Sequence, residues 1–179
     1  RKERCEMWLL YLFGNYEEAA EVAAKNHGVE SQWLARSPIA CNHVFYSGLT
    51  SLAMERKERC GRWMNTIHRT MNQMRGWTSS SPWNFQHKME LMIAECAFLG
   101  GDMSAAAEAY DSAIATAAKH RFIHEQGLAL ERAGIFYLES CDHAAASDRF
   151  MKAYDCYIQW EAFSKAAHLK EQYVSYIEH

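Results

Sequence analysis

The segments MSAAAEAYDSAIATA (103–117) and HAAASDRFMKAYDCY (143–157) match each other at an offset of 40 residues. Both contain the pattern Ala-x3-aromatic-x2-Ala, which places a small, a large and a small side chain on one stripe of a helix. The residues of this pattern are Ala106, Tyr110, Ala113, Ala146, Phe150 and Ala153. Small residues allow a neighbouring helix to approach closely, and the aromatic ring fills the space beside them. A repeat of this length predicts stacked helix pairs.

The rest of the chain extends this pattern. Gly134 and Tyr137 occupy the positions of a small and an aromatic residue in the first helix of the same tetratricopeptide-type repeat. Apolar spacing predicts helices over 2–13, 16–27, 38–54, 56–75, 82–99, 103–120, 122–139, 143–160 and 162–177. We predict an all-α, tetratricopeptide-like superhelix of antiparallel helix pairs, about four in number, with a C-terminal capping helix over 162–177. One domain is predicted over 1–179, with repeats at 1–28, 38–75, 82–120 and 122–160.

Short polar joins predict where the helices begin and end. Asn15, Asp102 and Asp142 are the predicted N-cap residues, since their side chains accept hydrogen bonds from exposed backbone N–H groups. Both prolines, Pro38 and Pro82, follow serine and suit a first helical position. A short helical turn is predicted near 30–36, and the stretch RGWTSSSPW (75–83) is predicted to be the longest break.

Composition narrows the function classes. The formal net charge of −3 provides no general attraction for nucleic acid or an anionic membrane, and we predict neither as a partner. No stretch has the uninterrupted apolar length of a membrane span. Six cysteines without a CxxC motif predict free thiols and a reducing, cytoplasmic location. Because the chain opens at Arg1 directly into helical sequence, we expect a fragment of a longer protein.

The stretch from Pro82 to Ser140 resembles a narrower group of proteins. It is similar to the helical-repeat region beside the AAA/STAND-type ATPase domain of large multidomain sensor kinases. The pieces that carry the resemblance are Asn84-Phe85-x-His87-Lys88, Tyr110-Asp111-x-Ala113-Ile114, His124-Glu125-x-x-Leu128-Ala129 and Phe136-Tyr137-Leu138. Beyond this stretch, Lys165-Ala166-x-His168-Leu169 also matches. The resemblance implies a preceding serine/threonine-kinase-like domain and ATPase, and following GAF and histidine-kinase domains. That family usually has Gly-Ala after the tryptophan, where this chain has Glu161-Ala162, so a softer bend is expected there.

No arrangement of residues predicts catalysis or metal binding. His120 and His124 are four residues apart, but the motif lacks an internal glutamate and a third ligand, so we predict no metal, no cofactor and no catalytic residue. Asn42, Lys88, Glu95 and Glu131 fall where first helices of repeats line a concave groove, and they are candidate partner-binding residues. The alternative for the carboxylates is pairing within the chain with Lys88, Arg132 or Arg121.

A second candidate surface is basic. Arg56, Arg59, Arg62 and Arg69 fall within one arc of the predicted helix 56–75, with Cys60 on the opposite side. They form either a solvated convex face or a docking face for an acidic partner domain.

These observations favour a non-catalytic protein–protein interaction and coupling module, which the resemblance places in a signalling ATPase/kinase polyprotein. The partner would be those intramolecular domains or a partner peptide. The alternatives are a free-standing peptide-binding scaffold and a small all-α enzyme, for which the sequence indicates no pocket.

Overall fold

Left-handed turns 20 residues apart separate the helices in the second half of the chain. The computed structural model describes residues 2–25 and 38–177, and their side chains at 6–25 and 40–177. Within those residues the elements are α1 (Lys2–Leu12), α2 (Tyr16–Lys25), α3 (Pro38–Glu58), α4 (Met64–Ser80), α5 (Pro82–Gly100), α6 (Met103–Lys119), α7 (Ile123–Glu139), α8 (His143–Gln159), α9 (Phe163–Gln172) and α10 (Val174–Ile177). The all-α fold of packed helices is confirmed. The predicted turn at 30–36 lies outside the described residues.

The chain divides into two compact units, residues 1–85 and 86–179. In the first unit, α3 packs against α1, α2 and α4. In the second, α7 packs against α6 and α8, and α8 packs against α9 and α10. The prediction that residues 1–179 form one domain stays a prediction.

Each join of the second unit follows the same hydrogen-bonding pattern. The N–H groups of Asp102, Phe122, Asp142 and Ala162 donate to the carbonyl five residues earlier, at 2.9–3.0 Å, as in a Schellman motif. The residue before each of these is left-handed, namely Gly101, Arg121, Cys141 and Glu161. Glu161 has φ 60°, so the softer bend expected there is wrong. The flanking hydrogen bonds hold a non-glycine residue in the conformation that glycine adopts at no steric cost.

The predicted N-caps Asp102 and Asp142 are confirmed, because each carboxylate accepts from the N–H three residues later at 3.0 Å. The predicted core stripe is confirmed too: all six residues of the Ala-x3-aromatic-x2-Ala pattern are fully buried. Gly134 lies against Phe150 and Gly127 against Tyr157, and both pairs are equidistant from the join at Asp142. Helices α7 and α8 are therefore antiparallel.

Two predicted boundaries in the first unit are wrong. Helix α3 continues to Glu58, and the turn follows at residues 59–63 rather than at 55–56. The Glu55 carboxylate sets this turn by accepting from the N–H of Gly61 at 2.8 Å and of Trp63 at 3.2 Å.

The predicted break at 75–83 is also wrong, since only Ser81 separates α4 from α5. The hydroxyls of Thr78, Ser79 and Ser80 donate to the carbonyls four residues earlier, so these side chains bond within the helix rather than in a competing turn.

The C-terminal segment packs as predicted but not as one helix. Leu169 is fully buried, and the Tyr173 ring stacks on Phe150 with centroids 4.0 Å apart. The helix is interrupted at Tyr173, which separates α9 from α10. This break allows Tyr176 to reach α8, where its carbonyl accepts from the Ser147 hydroxyl at 2.8 Å.

Candidate functional site

Three carboxylates of the second unit lie in polar clusters that join one helix pair to the next. The first is Glu95 on α5, which is 1% exposed. Its Oε1 accepts from the Tyr110 hydroxyl of α6 at 2.7 Å and from Arg132 Nε of α7 at 2.8 Å. Arg132 Nη2 donates to the other oxygen at 3.1 Å. This bidentate pairing supplies the charge-assisted hydrogen bonds that a buried carboxylate requires.

The second cluster repeats this arrangement one helix pair further on. Glu131 on α7 accepts from the Tyr157 hydroxyl of α8 at 2.6 Å and from Lys165 Nζ of α9 at 2.8 Å. Lys165 is buried, which is unusual for a lysine that has no carboxylate partner and is explained here by its pairing with Glu131. The ammonium group also lies 5.5 Å from the centroid of the Tyr157 ring, within the range of a cation–π contact.

The third cluster surrounds Glu125 in the first turn of α7. Its Oε1 contacts Lys88 Nζ of α5, and its Oε2 lies 2.6 Å from His124 Nε2 and 4.0 Å from His87 Nε2. Burial by itself raises the pKa of Glu125, but His124, His87 and the Lys88 charge outweigh it and hold that pKa well below its usual range. The positive end of the helix dipole acts in the same direction. Glu125 is therefore ionised at neutral pH.

His87 is the least satisfied polar group of this third cluster. Its ring is 2% exposed and stacks on Phe122 with centroids 4.5 Å apart. Neither ring nitrogen has a hydrogen-bond partner among the described residues. Burial lowers the pKa of His87, and the partial opposition of Glu125 does not reverse that shift. The imidazole is therefore neutral at neutral pH.

The clusters link the first helices of successive pairs. Glu95 and Glu125 connect α5 with α7, and Glu131 connects α7 with α9. Chemically, Glu125 lacks the raised pKa of a general acid at neutral pH. The geometry instead fixes the rotation of each helix about its axis relative to the next, because each carboxylate needs a cation at one position on the neighbouring helix.

The predicted groove residues are located differently from the prediction. Lys88 and Glu95 are buried and paired within the chain, so they do not present free side chains to a partner. The alternative considered above, pairing of Glu95 with Arg132, is what the structure shows. Glu131 is half-buried and bonded to Tyr157 and Lys165. Asn42 is half-buried on α3 in the other unit, and its role in binding stays a prediction.

The predicted basic face does not lie on one helix. Arg56 is in the last turn of α3, Arg59 and Arg62 are in the turn at 59–63, and Arg69 is on α4. Cys60 lies in that turn as well and is exposed, rather than on an apolar stripe. The cause is the Glu55 carboxylate, which closes the turn through Gly61 and Trp63. Docking of an acidic partner at these arginines stays a prediction.

In the part of the chain that the structure describes, no three His, Cys, Asp or Glu side chains are grouped so that they could hold a metal ion. His124 contacts Glu125 and stacks on Trp160 with centroids 5.1 Å apart. The five cysteines with described side chains are free thiols. Burial and the neighbouring Glu95 raise the pKa of Cys96 to about 11.

Across residues 2–25 and 38–177, no helix has both the length and the apolar character needed to cross a bilayer.

Sequence reasoning missed Tyr157, Lys165 and His87 as members of these clusters. The offset of 40 residues could not find them, since it places Ile135 opposite Glu95 and Phe150 opposite Tyr110. The one available signal is a charge on an otherwise apolar stripe, as at Arg132 between buried Ala129 and Ala133. Comparison of the chain with family models, with curated proteins and with solved structures gives no match.

Proposed function

We propose that this chain is a non-catalytic protein–protein interaction and coupling module. The observation that carries the proposal is the linear series of buried ion pairs through α5, α7 and α9. In helical-repeat proteins each repeat contacts its neighbours, so a displacement at one end is transmitted through successive interfaces. Interfaces with fixed hydrogen-bonded charges resist small shifts and favour discrete arrangements.

The energetics of buried pairs support a role in positioning. Replacing a buried pair by apolar groups is often neutral for stability, whereas removing one partner costs about 3–5 kcal/mol. Such pairs therefore add specificity of arrangement more than they add stability. In this chain the Tyr110 and Tyr157 hydroxyls complete both carboxylate shells, so each cluster has one satisfied geometry.

The module acts, in this proposal, within a cytoplasmic signalling polyprotein that carries ATPase and kinase domains. The support is the resemblance of the stretch from Pro82 to Ser140 to the repeat region of such sensor kinases. The nucleotide state of a preceding ATPase domain would reposition the repeats and change the output of a following kinase. The partner of the module is then a domain of the same polypeptide.

The test uses the whole protein that the chain's own reading frame encodes. Glu131→Gln combined with Lys165→Met removes the link between α7 and α9 without leaving a lone buried charge. We expect folding close to that of the wild type and a kinase output that no longer responds to ATP. The matched control, Asp148→Asn with Lys152→Met, removes an exposed ion pair of α8. An unchanged ATP response in the Glu131 variant, or the absence of flanking ATPase and kinase motifs, would contradict the proposal.

A free-standing peptide-binding scaffold is the second candidate. The exposed polar face of α4, which carries Asn65, His68, Asn72 and Arg75, favours it. The two functions differ in the flanking sequence: a scaffold needs no ATPase or kinase domain in its reading frame.

A further inference from the structure

Charge is distributed unevenly between the two halves of the sequence. Residues 1–85 contain eleven Lys and Arg against eight Asp and Glu, a formal charge of +3. Residues 86–179 contain eight against fourteen, a formal charge of −6. Within the first unit, the sequence from Arg59 to Phe85 has four arginines and no carboxylate. Helix α4 therefore lies in the most basic part of the chain.

One face of α4 is polar and exposed along its length. Asn65, His68, Asn72 and Arg75 recur every three or four residues and are all exposed, and we call them the α4 stripe. Arg62 precedes the stripe at its N-terminal end and is exposed as well. Residues 65–75 of the stripe cover about 15 Å at the helical rise. The opposite side of α4 carries the buried Ile67, Thr70 and Met74. The stripe itself contains no apolar side chain.

The cationic groups are partly ordered before any partner binds. Arg75 Nη1 donates to Asn72 Oδ1 at 2.9 Å, and the Arg62 guanidinium lies 5.0 Å from the centroid of the Trp63 ring. The Glu58 carboxylate accepts from Trp63 Nε1 at 2.9 Å and also interacts electrostatically with Arg62. Side chains that are already restrained lose less conformational entropy on binding.

We propose that the α4 stripe, with Arg62, binds an acidic helical surface of the partner domain. This inference rests on the proposed function and names the chemistry of its partner. Guanidinium and amide groups at helical spacing suit a row of carboxylates on another helix. A nucleic acid is disfavoured, because the formal net charge of the chain is −3 and the stripe with Arg62 supplies only two arginines. A membrane is disfavoured, because the stripe has no apolar residue to enter a bilayer.

The experiment measures binding to the whole chain by fluorescence anisotropy. The probe is a fluorescein-labelled, alanine-based helical peptide of about 21 residues with glutamates along one face, and a peptide with glutamines at those positions is its control. We expect only the glutamate peptide to bind. Its affinity should fall as the NaCl concentration rises from 50 to 200 mM, because salt screens the attraction between exposed charges. Arg62→Gln with Arg75→Gln should raise its Kd about tenfold.

A charge reversal makes the test sharper. The double variant Arg62→Glu with Arg75→Glu should no longer bind the glutamate peptide. It should instead bind a peptide that has lysines at the glutamate positions. The matched control is Lys119→Gln with Arg121→Gln, two exposed cations of the second unit, which should leave both Kd values unchanged. Circular dichroism of each variant establishes that the helical content is retained.

Several outcomes would overturn the inference. They are equal binding of the glutamine peptide, an equal loss in the Lys119/Arg121 control, no peptide binding, or tighter arginine-dependent binding of a 20-base-pair DNA or of phosphatidylserine vesicles. Self-association that the Arg62/Arg75 reversal abolishes would identify a second copy as the occupant and would also overturn it. Because the Glu131/Lys165 variant tests coupling in the other unit, failure here is distinguishable from failure of the proposed function.

Discussion

Gly134 and Phe150 form a very close contact between α7 and α8. A Cβ atom on Gly134 would lie 2.6 Å from Phe150 Cε1. The ring cannot move away easily, because it is fully buried and stacks on Tyr173. The absence of a side chain at residue 134 thus sets how closely α7 and α8 approach.

We predict that Gly134→Ala destabilises the protein by about 1–3 kcal/mol, because overpacking exceeds the roughly 1 kcal/mol that alanine adds in helix propensity. The measurement is urea unfolding followed by circular dichroism. Gly100→Ala is the control in the same unit, since a Cβ there meets nothing within 4 Å. A neutral or stabilising Gly134→Ala would show that Phe150 can repack.

At the level of helices, the C-terminal segment covers the apolar face of α8. Ala166 and Leu169 of α9 join a buried cluster with Phe150 and Tyr157, and Tyr173 and Tyr176 pack on its edge. Lys165 adds the buried pair with Glu131. Removal of this segment would expose apolar surface and leave the Glu131 carboxylate without its cation.

Deletion of residues 161–179 should therefore lower the stability of the second unit and expose surface that binds the dye ANS. Both the lost apolar contacts and the unpaired Glu131 act in this direction. The measurements are thermal unfolding and ANS fluorescence at equal protein concentration. The control is Phe163→Ser, which removes an apolar side chain that is 62% exposed. A truncated chain that is equally stable and does not bind the dye would mean that α9 and α10 do not act as a cap.

For the chain as a whole, buried ionisable groups predict lower stability in acid. The pKa of His87 lies below the ordinary histidine value of 6.5, so below pH 6.5 the unfolded chain binds a proton that the folded chain does not. His168 shifts in the same direction because of burial. The contribution of these two histidines to the free energy of unfolding is fully present above pH 6.5. It is lost as the pH drops from 6.5 towards their pKa values in the folded chain. Glu125, whose pKa is also lowered, adds a further loss as the pH falls below 4.5.

His87→Phe should reduce the slope of unfolding free energy against pH between 7 and 5.5, since phenylalanine can stack on Phe122 without titrating. The measurement is the urea midpoint at several pH values in that range. Exposed His68 provides the control, and His68→Gln should leave the slope as it is in the wild type. An undiminished slope in His87→Phe would assign the acid sensitivity to other groups.

Much of the helical frame follows from local sequence. The offset of 40 residues and the small–aromatic–small stripe predicted the buried positions of α6 and α8, and Asp102 and Asp142 predicted their first residues. These signals are local, because helical periodicity and N-capping depend on residues within a few positions of one another. Where a distant or unrecognised partner intervened, as with Glu55 at the turn of 59–63, the predicted boundary was wrong.

The tertiary structure alone determined which charges meet. Lys165 and Glu131 are 34 residues apart, and Lys88 and Glu125 are 37 apart, so their pairing depends on how neighbouring helices are rotated about their axes. Spacing along the sequence does not predict that rotation. The rotation is set by packing, as when Gly134 admits Phe150 between α7 and α8, together with the buried ion pairs that hold it. The backbone hydrogen bonds at the join of α8 and α9 likewise hold Glu161 in a left-handed conformation that its residue type does not favour.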